Sequence, residues 1–201
     1  MSNSENKILK KQALRQSILD FAENIASTEG WEAVTMRRIS AEIKYSLPII
    51  YNHFKNKEDI ITVLAVKGFK ILLETLKATI ESGKDVKKIA IDLALAYLDF
   101  AKTHKALYLA MYGQESVSTF LPTNLQEGEK VFDFIYVWLE ALTKQKIAFI
   151  PNVWESTKLV WATLHGLVAL DNINQINDTN TKVEKLATDF VNILIDRWEI
   201  V

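Results

Sequence analysis

The chain has 201 residues, 49% of them hydrophobic, enough for one compact unit or two small ones with a sizeable core. Six glycines and three prolines favour long helices over a sheet with many turns, and the absence of cysteine excludes a disulfide framework or a thiolate metal site, as expected of a cytoplasmic protein. The net charge of −1 does not announce nucleic acid: residues 1–66 hold 9 Lys/Arg against 8 Asp/Glu, and residues 67–201 hold 15 against 17.

The N-terminus is polar and has no signal-peptide pattern. Its first fifteen residues are basic, with Lys7, Lys10, Lys11 and Arg15 against Glu5. They read either as an arm for phosphate or as a solvated tail. A first helix is predicted from about Lys10 to Thr28, with Leu14, Ile18, Phe21, Ala22 and Ile25 on one face. Glu29-Gly30 ends it, and Trp31 and Val34 are expected to plug a small core.

Thr35 can cap a second helix whose Met36, Ile39 and Ile43 share a face. Ser46 can cap a third, with Pro48 in its first turn, where a missing N–H costs little. Ile50 and Phe54 can face inward, which leaves Leu47, Pro48, Tyr51 and Asn52 outward, with His53 and Lys57 nearby. Two short helices joined by a turn of about three or four residues read as a helix-turn-helix, whose second helix enters a DNA major groove. Tyrosine can bond phosphate oxygens, and apolar groups can touch thymine methyls. Capped helices with inward isoleucines also occur in any small helical protein, so periodicity leaves both readings open.

A fourth helix is predicted from Lys57 to about Ser82, long enough to belong to both halves of the chain. The domain boundary is placed inside it, giving 1–66 and 67–201. A fifth helix follows Asp85 to about Thr103, and a sixth runs from about Lys105 to Gly113. Ser116 to Gly128 reads as a loop. A seventh helix is expected from about Leu125 to Lys146, an eighth from Asn152 to Gln175, and a ninth from Thr181 to Trp198, with a polar connector over 172–180. The nearly unbroken apolar stretch Leu159–Leu170 is too short to cross a bilayer. No period-two alternation is present, so the expectation is all-α, with about nine helices.

The stretch from about Lys11 to Leu64 resembles the DNA-binding domain of TetR-family transcriptional regulators. The match rests on a capped helix, a turn, and a helix with Tyr-x-x-Phe followed by Lys-Glu, here Tyr51-Asn52-His53-Phe54-Lys55-Asn56-Lys57-Glu58-Asp59. The resemblance implies that Thr35 and Arg37 or Arg38 bond phosphates, and that Leu47, Pro48 and Ile49 face base edges. It also implies that Tyr51 and His53 hold phosphate and sugar, and that Lys57 touches phosphate. One departure stands in the turn, where Lys44 replaces the usual glycine. A left-handed lysine costs on the order of 1 kcal/mol.

Further along, Trp161-Ala162-Thr163-Leu164-His165-Gly166 resembles the Trp…His-Gly signature of one TetR C-terminal class, and Tyr97–Tyr108 resembles the same class, with Lys105 in place of its proline. The resemblance implies a homodimeric regulator, most simply a repressor, that binds a palindromic double-stranded DNA operator and responds to a small-molecule effector. The expected dimer contacts are the helices near 152–175 and 181–198, whose apolar residues exceed one stripe; a larger monomeric core is the alternative. Tyr97, Phe100, Tyr108, Met111, Tyr112, Phe132, Trp138, Trp161 and His165 are candidate contacts for an apolar or planar effector, or fill a core. Gly166 is expected to permit close helix packing.

An enzyme is the competing class, and the sequence offers it little. His53, His104 and His165 have no carboxylate at a metal-ligand spacing, and there is no phosphate loop, nucleophile elbow or Rossmann glycine pattern. No cofactor or metal is expected. A DNA-binding regulator without an inducer, and a helical enzyme whose site is assembled only by tertiary contact, remain as alternatives.

Overall fold

The computed structural model describes residues 3–80, 85–113, 122–176 and 181–198. Among them are nine α-helices and no strand: α1 Asn3–Glu29, α2 Met36–Glu42, α3 Leu47–Tyr51, α4 Lys57–Ile80, α5 Val86–Thr103, α6 Lys105–Tyr112, α7 Pro122–Lys144, α8 Val153–Asn172 and α9 Val183–Arg197. A 3₁₀ turn, Trp31–Ala33, follows α1. The chain divides into two compact units, one of Met1–Gly68 with His104–Asn124, the other of Phe69–Thr103 with Leu125–Val201. The division falls after Gly68, inside α4.

In the first unit, Ile18, Leu19, Ala22, Ile25 and Ala26 of α1 are buried, at the spacing of one helical face. They share a core with Val34, Ile39, Ile50, Phe54, Ile60, Ile61 and Leu64. Trp31 is buried as expected and donates its indole N–H to the carbonyl of Ala106 on α6 at 3.0 Å. That bond satisfies a group whose burial would otherwise be costly. Gly30 stops α1 with φ 88° and ψ 164°, a conformation closed to residues with a Cβ. Gly68 lets α6 approach α4, since a Cβ there would lie 2.5 Å from Met111 Sδ.

In the second unit, α5 is buried along Ile89, Ala90, Leu93, Ala94, Tyr97, Leu98, Phe100 and Ala101, and packs on α8 and α9. Ala187, Val191, Leu194 and Ile195 supply the facing stripe of α9. Among the described residues no helix is long and apolar enough to cross a membrane.

Three boundaries differ from the sequence reading. Helix α1 begins at Asn3, not near Lys10, because residues 4–14 contain no glycine or proline and carry the helix formers Glu5, Lys7, Leu9, Lys10, Lys11, Gln12, Ala13 and Leu14, so a helix anchored at Ile18 propagates outward. Helix α7 begins at Pro122, within the expected loop, because proline suits a first helical position. Gly128, read as a loop residue, sits inside α7 against Phe69, where a Cβ would come within 3.3 Å of the ring. The rest of that expected loop, 116–121, lies outside the described residues. Helix α8 stops at Asn172, three residues short of its expected end, and Asn174 follows with φ 54°.

Candidate nucleic-acid interface and ligand cavity

Helix α2 starts where Thr35 Oγ1 accepts the Arg38 N–H at 3.1 Å. It ends in a turn that explains how Lys44 is tolerated. Lys44 has φ 57°, the left-handed conformation that glycine normally supplies. Its N–H donates to Ala41 O at 3.3 Å, while the Tyr45 N–H donates to Ser40 O at 3.2 Å. Together these bonds form the Schellman pattern of a helix end. Ser40 adds a bond of its own, from its hydroxyl to Tyr45 O at 2.6 Å. Three hydrogen bonds therefore hold the backbone that glycine would have adopted freely, and each contributes about 1 kcal/mol, enough to offset the left-handed lysine.

Helix α3 follows at Leu47, with Pro48 in its first turn. Ser46 occupies the cap position as expected, but its side chain makes no capping bond. The first turn is closed by its carbonyl, which accepts the Ile49 N–H at 2.9 Å. Ile50 and Phe54 are buried, and this burial fixes the outward face. Pro48, Ile49, Tyr51 and Asn52 are exposed, Tyr51 at 49% and Ile49 at 36%, while Leu47 and His53 are half-buried. Tyr45 is exposed in the turn beside them. Next, Asn56 Oδ1 accepts the Asp59 N–H and Asp59 Oδ2 accepts the Lys55 N–H, both at 2.9 Å, which fixes the start of α4 and so the position of Lys57.

The charges around this face are arranged from α1. The Arg15 guanidinium lies 4.2 Å from the centre of the Phe54 ring. Burial, together with the positive charges of Lys11 and Arg15, holds the His53 imidazole below its usual pKa. Lys11 and Arg15, read from the sequence only as part of a basic arm, thus stand beside the third helix. The two arginines of α2 differ. Arg37 is exposed, whereas Arg38 forms a two-pronged ion pair with Glu29 at the end of α1. The hydrogen bonds from Arg38 hold the Glu29 carboxyl below the usual range, and the Glu29 carboxylate raises Arg38 in turn.

The second unit contains a partly open cavity of about 60 Å³. Its wall includes Tyr97, Phe132, Trp138 and Trp161 from the sequence-derived set. The indole of Trp161 meets the His165 ring edge to face at 4.7 Å and the Phe132 ring at 6.4 Å. Tyr97 Oη lies 3.1 Å from His165 Nδ1 and 3.2 Å from Nε2, so whichever nitrogen the tautomer leaves unprotonated can accept its proton. Burial lowers the His165 pKa from 6.5 to about 4, which keeps the ring neutral. Phe100 is buried in the same unit but is not part of the wall. Tyr108, Met111 and Tyr112 belong to α6 in the first unit, where the two tyrosine rings lie 5.2 Å apart. The wall also uses Phe190, Val191 and Leu194 of α9 and Trp198 beyond it. Their periodicity marked a buried stripe without saying that the stripe borders a cavity. Among the described residues no group of His, Asp and Glu is placed to hold a metal ion.

Residues 18–64 match the bacterial regulatory proteins of the tetR family, and residues 90–194 match the tetracyclin repressor-like C-terminal domain. The second match alone covers more than half of the chain. The protein belongs to the TetR family of transcriptional regulators. That family consists of regulators and not enzymes, which settles the competing class. The chain is also similar to an uncharacterised HTH-type transcriptional regulator of Mycobacterium tuberculosis, 23% identical over 88% of this chain and 78% of that protein. In fold it is similar to a protein of unknown function from Rhodococcus sp. RHA1, with a TM-score of 0.81 at 20% identity over 92% of this chain and 95% of the other. It is likewise similar to a putative transcriptional regulator from Saccharomonospora viridis in complex with choline, with a TM-score of 0.73 at 18% identity over 94% and 98% of the two chains.

Proposed function

We propose that this TetR-family regulator acts as a homodimeric repressor on a palindromic operator and is released by a small apolar or planar effector. The observation that carries the reading is the outward face of α3. A five-residue helix held by a Schellman turn at one end and a capped α4 at the other presents Pro48, Ile49 and Tyr51 to solvent, with Leu47 half-buried beside them. Exposed apolar groups on so short and rigid an element have little to gain from water and suit a major groove with thymine methyls. In this reading Tyr51, Asn52, His53 and Lys57 meet phosphate and sugar, as do Thr35 and Arg37. Arg38 joins them by exchanging Glu29 for a phosphate. Residues 1–66 carry DNA binding, and residues 67–201 carry effector binding and dimerisation.

The dimer is supported by α8. Leu159, Ala162, Gly166, Ala169 and Leu170 are exposed along it, and Ile173 beyond it is 62% exposed. Gly166, expected to permit close helix packing, has nothing within 4 Å of the position its Cβ would take. A second copy of α8 crossing at this small, apolar strip would account for both observations. An effector that favours one arrangement of the dimer then changes the separation of the two α3 helices and weakens the operator complex.

The test is the salt dependence of binding to duplex DNA, read by fluorescence anisotropy. Several phosphate contacts predict that log Kd rises linearly with log salt, with a slope of roughly 0.9 per contact. No binding to any duplex at low salt would overturn the reading.

A further inference from the structure

From the walls of the second-unit cavity we infer that the effector is electrically neutral, an apolar molecule carrying one hydroxyl or carbonyl for the Tyr97–His165 pair, and that carboxylates and ammonium ions of the same shape are rejected. The inference rests on the proposed effector response and deepens it.

The lining contains no Asp, Glu, Lys or Arg, and its side-chain polar atoms belong to Tyr97, Thr157 and the indoles of Trp138, Trp161 and Trp198. Thr157 is buried and its hydroxyl donates to Val153 O within its own helix at 2.8 Å. A carboxylate entering this space would lose its water and find no cation, a cost that hydrogen bonds from neutral groups do not recover. His165 could have been that cation, but burial keeps its ring neutral at physiological pH. A quaternary ammonium could use ring faces, as in aromatic cages. Here Trp161 already meets both Phe132 and His165 edge to face, so part of these ring faces holds a neighbour's ring edge. The wall offers no carboxylate to complete the cage.

Tyr97 supplies the positive part of the recognition. Tyr97 belongs to the wall and its hydroxyl lies 3.1 Å from His165 Nδ1, so a ligand oxygen that meets this hydroxyl joins an existing hydrogen-bonded pair. Hydroxyls and carbonyls can enter such a network without net charge.

The experiment uses two matched series on the full chain: hexanol, hexanoate and hexyltrimethylammonium, and benzyl alcohol, benzoate and benzyltrimethylammonium. Tryptophan fluorescence reports occupancy, since Trp138, Trp161 and Trp198 line the cavity. The neutral member of at least one series should bind roughly tenfold or more tightly than its charged partners, and Tyr97→Phe should weaken it by roughly threefold to tenfold. A charged member that binds as well as the neutral one overturns the inference and leaves the proposed effector response standing. Unaltered hexanol and benzyl alcohol binding in Tyr97→Phe removes the assigned hydroxyl contact. A neutral ligand that fills the cavity without changing DNA affinity supports the ligand class and overturns the proposed response. No binding by any member overturns both.

Discussion

Replacing His165 with glutamine should remove an acid-sensitive part of the protein's stability. The native imidazole has a pKa lowered by burial to about 4, against 6.5 in the ordinary chain. At pH well above 6.5 neither the folded nor the unfolded state holds the proton, and the group contributes nothing pH-dependent. As pH falls through 6.5, the unfolded chain takes up the proton first, so stability drops. The drop levels off below about 4, where the folded state is also protonated. The gap between those values, at ~1.4 kcal/mol per pH unit, gives a full loss of about 3 kcal/mol. Between about pH 7.5 and about pH 5 the loss is about 2 kcal/mol. Urea unfolding followed by tryptophan fluorescence at both pH values, at one protein concentration, measures it in the wild type and in His165→Gln. Glu29 and Glu140, whose pKa values are lowered by Arg38 and Lys144, add losses as pH falls through the carboxylate range. Both proteins share these losses, which cancel in the comparison. The variant should lose about 2 kcal/mol less than the wild type over this interval. Equal losses would refute the buried, neutral histidine and with it the charge-free character of the neighbouring cavity.

Other perturbations address the DNA face and the proposed dimer. Tyr51→Phe should weaken operator and random duplex alike by about fivefold, the value of one lost phosphate hydrogen bond, whereas Leu47→Ala should weaken the operator far more than random duplex; titrations on both duplexes distinguish the two patterns. Glu29→Gln takes a negative charge from the face and releases Arg38, so low-salt affinity for duplex should rise by roughly threefold to tenfold. A fall in affinity would instead make the Arg38–Glu29 pair a brace for α2. Leu159→Glu on the exposed side of α8 should convert a dimer to monomers in sedimentation equilibrium and weaken operator binding at the same protein concentration; an unchanged mass would remove α8 from the interface.

Much of the first unit was legible in the sequence because its signals are local. Thr35, Gly30 and Pro48 act within one turn of where they stand, and the spacing of Ile39, Ile50 and Phe54 orients both short helices. The left-handed conformation of Lys44 follows from counting between the two helices. What compensates for it does not, because Ser40 acts through a bond to a residue five positions on. The ion pair of Arg38 with Glu29 is equally invisible in a linear reading. It depends on how α1 ends against α2, and two adjacent arginines look alike until that geometry exists.

The cavity was less legible for a related reason. Aromatic residues could be counted from the sequence, but their assignment to an inner wall, a core or an outer face is tertiary. Tyr97 and Trp161 stand far apart in the sequence, on different helices, and only the fold brings both to one wall. Tyr108 and Met111 follow Tyr97 closely along the chain, yet they belong to the first unit, because the chain changes units at His104. Gly166 illustrates the same limit from the other side. A glycine in an apolar helix suggests close packing, and the chain itself places nothing against it.

The most direct test of the central claim is selection of bound duplexes from a random pool by the purified protein at moderate salt. The account predicts enrichment of an inverted repeat whose half-site centres lie one helical turn, or a multiple of it, apart, as two α3 helices in successive major grooves require. Recovery of duplexes with no shared sequence would contradict it and leave the exposed face of α3 without its assigned role.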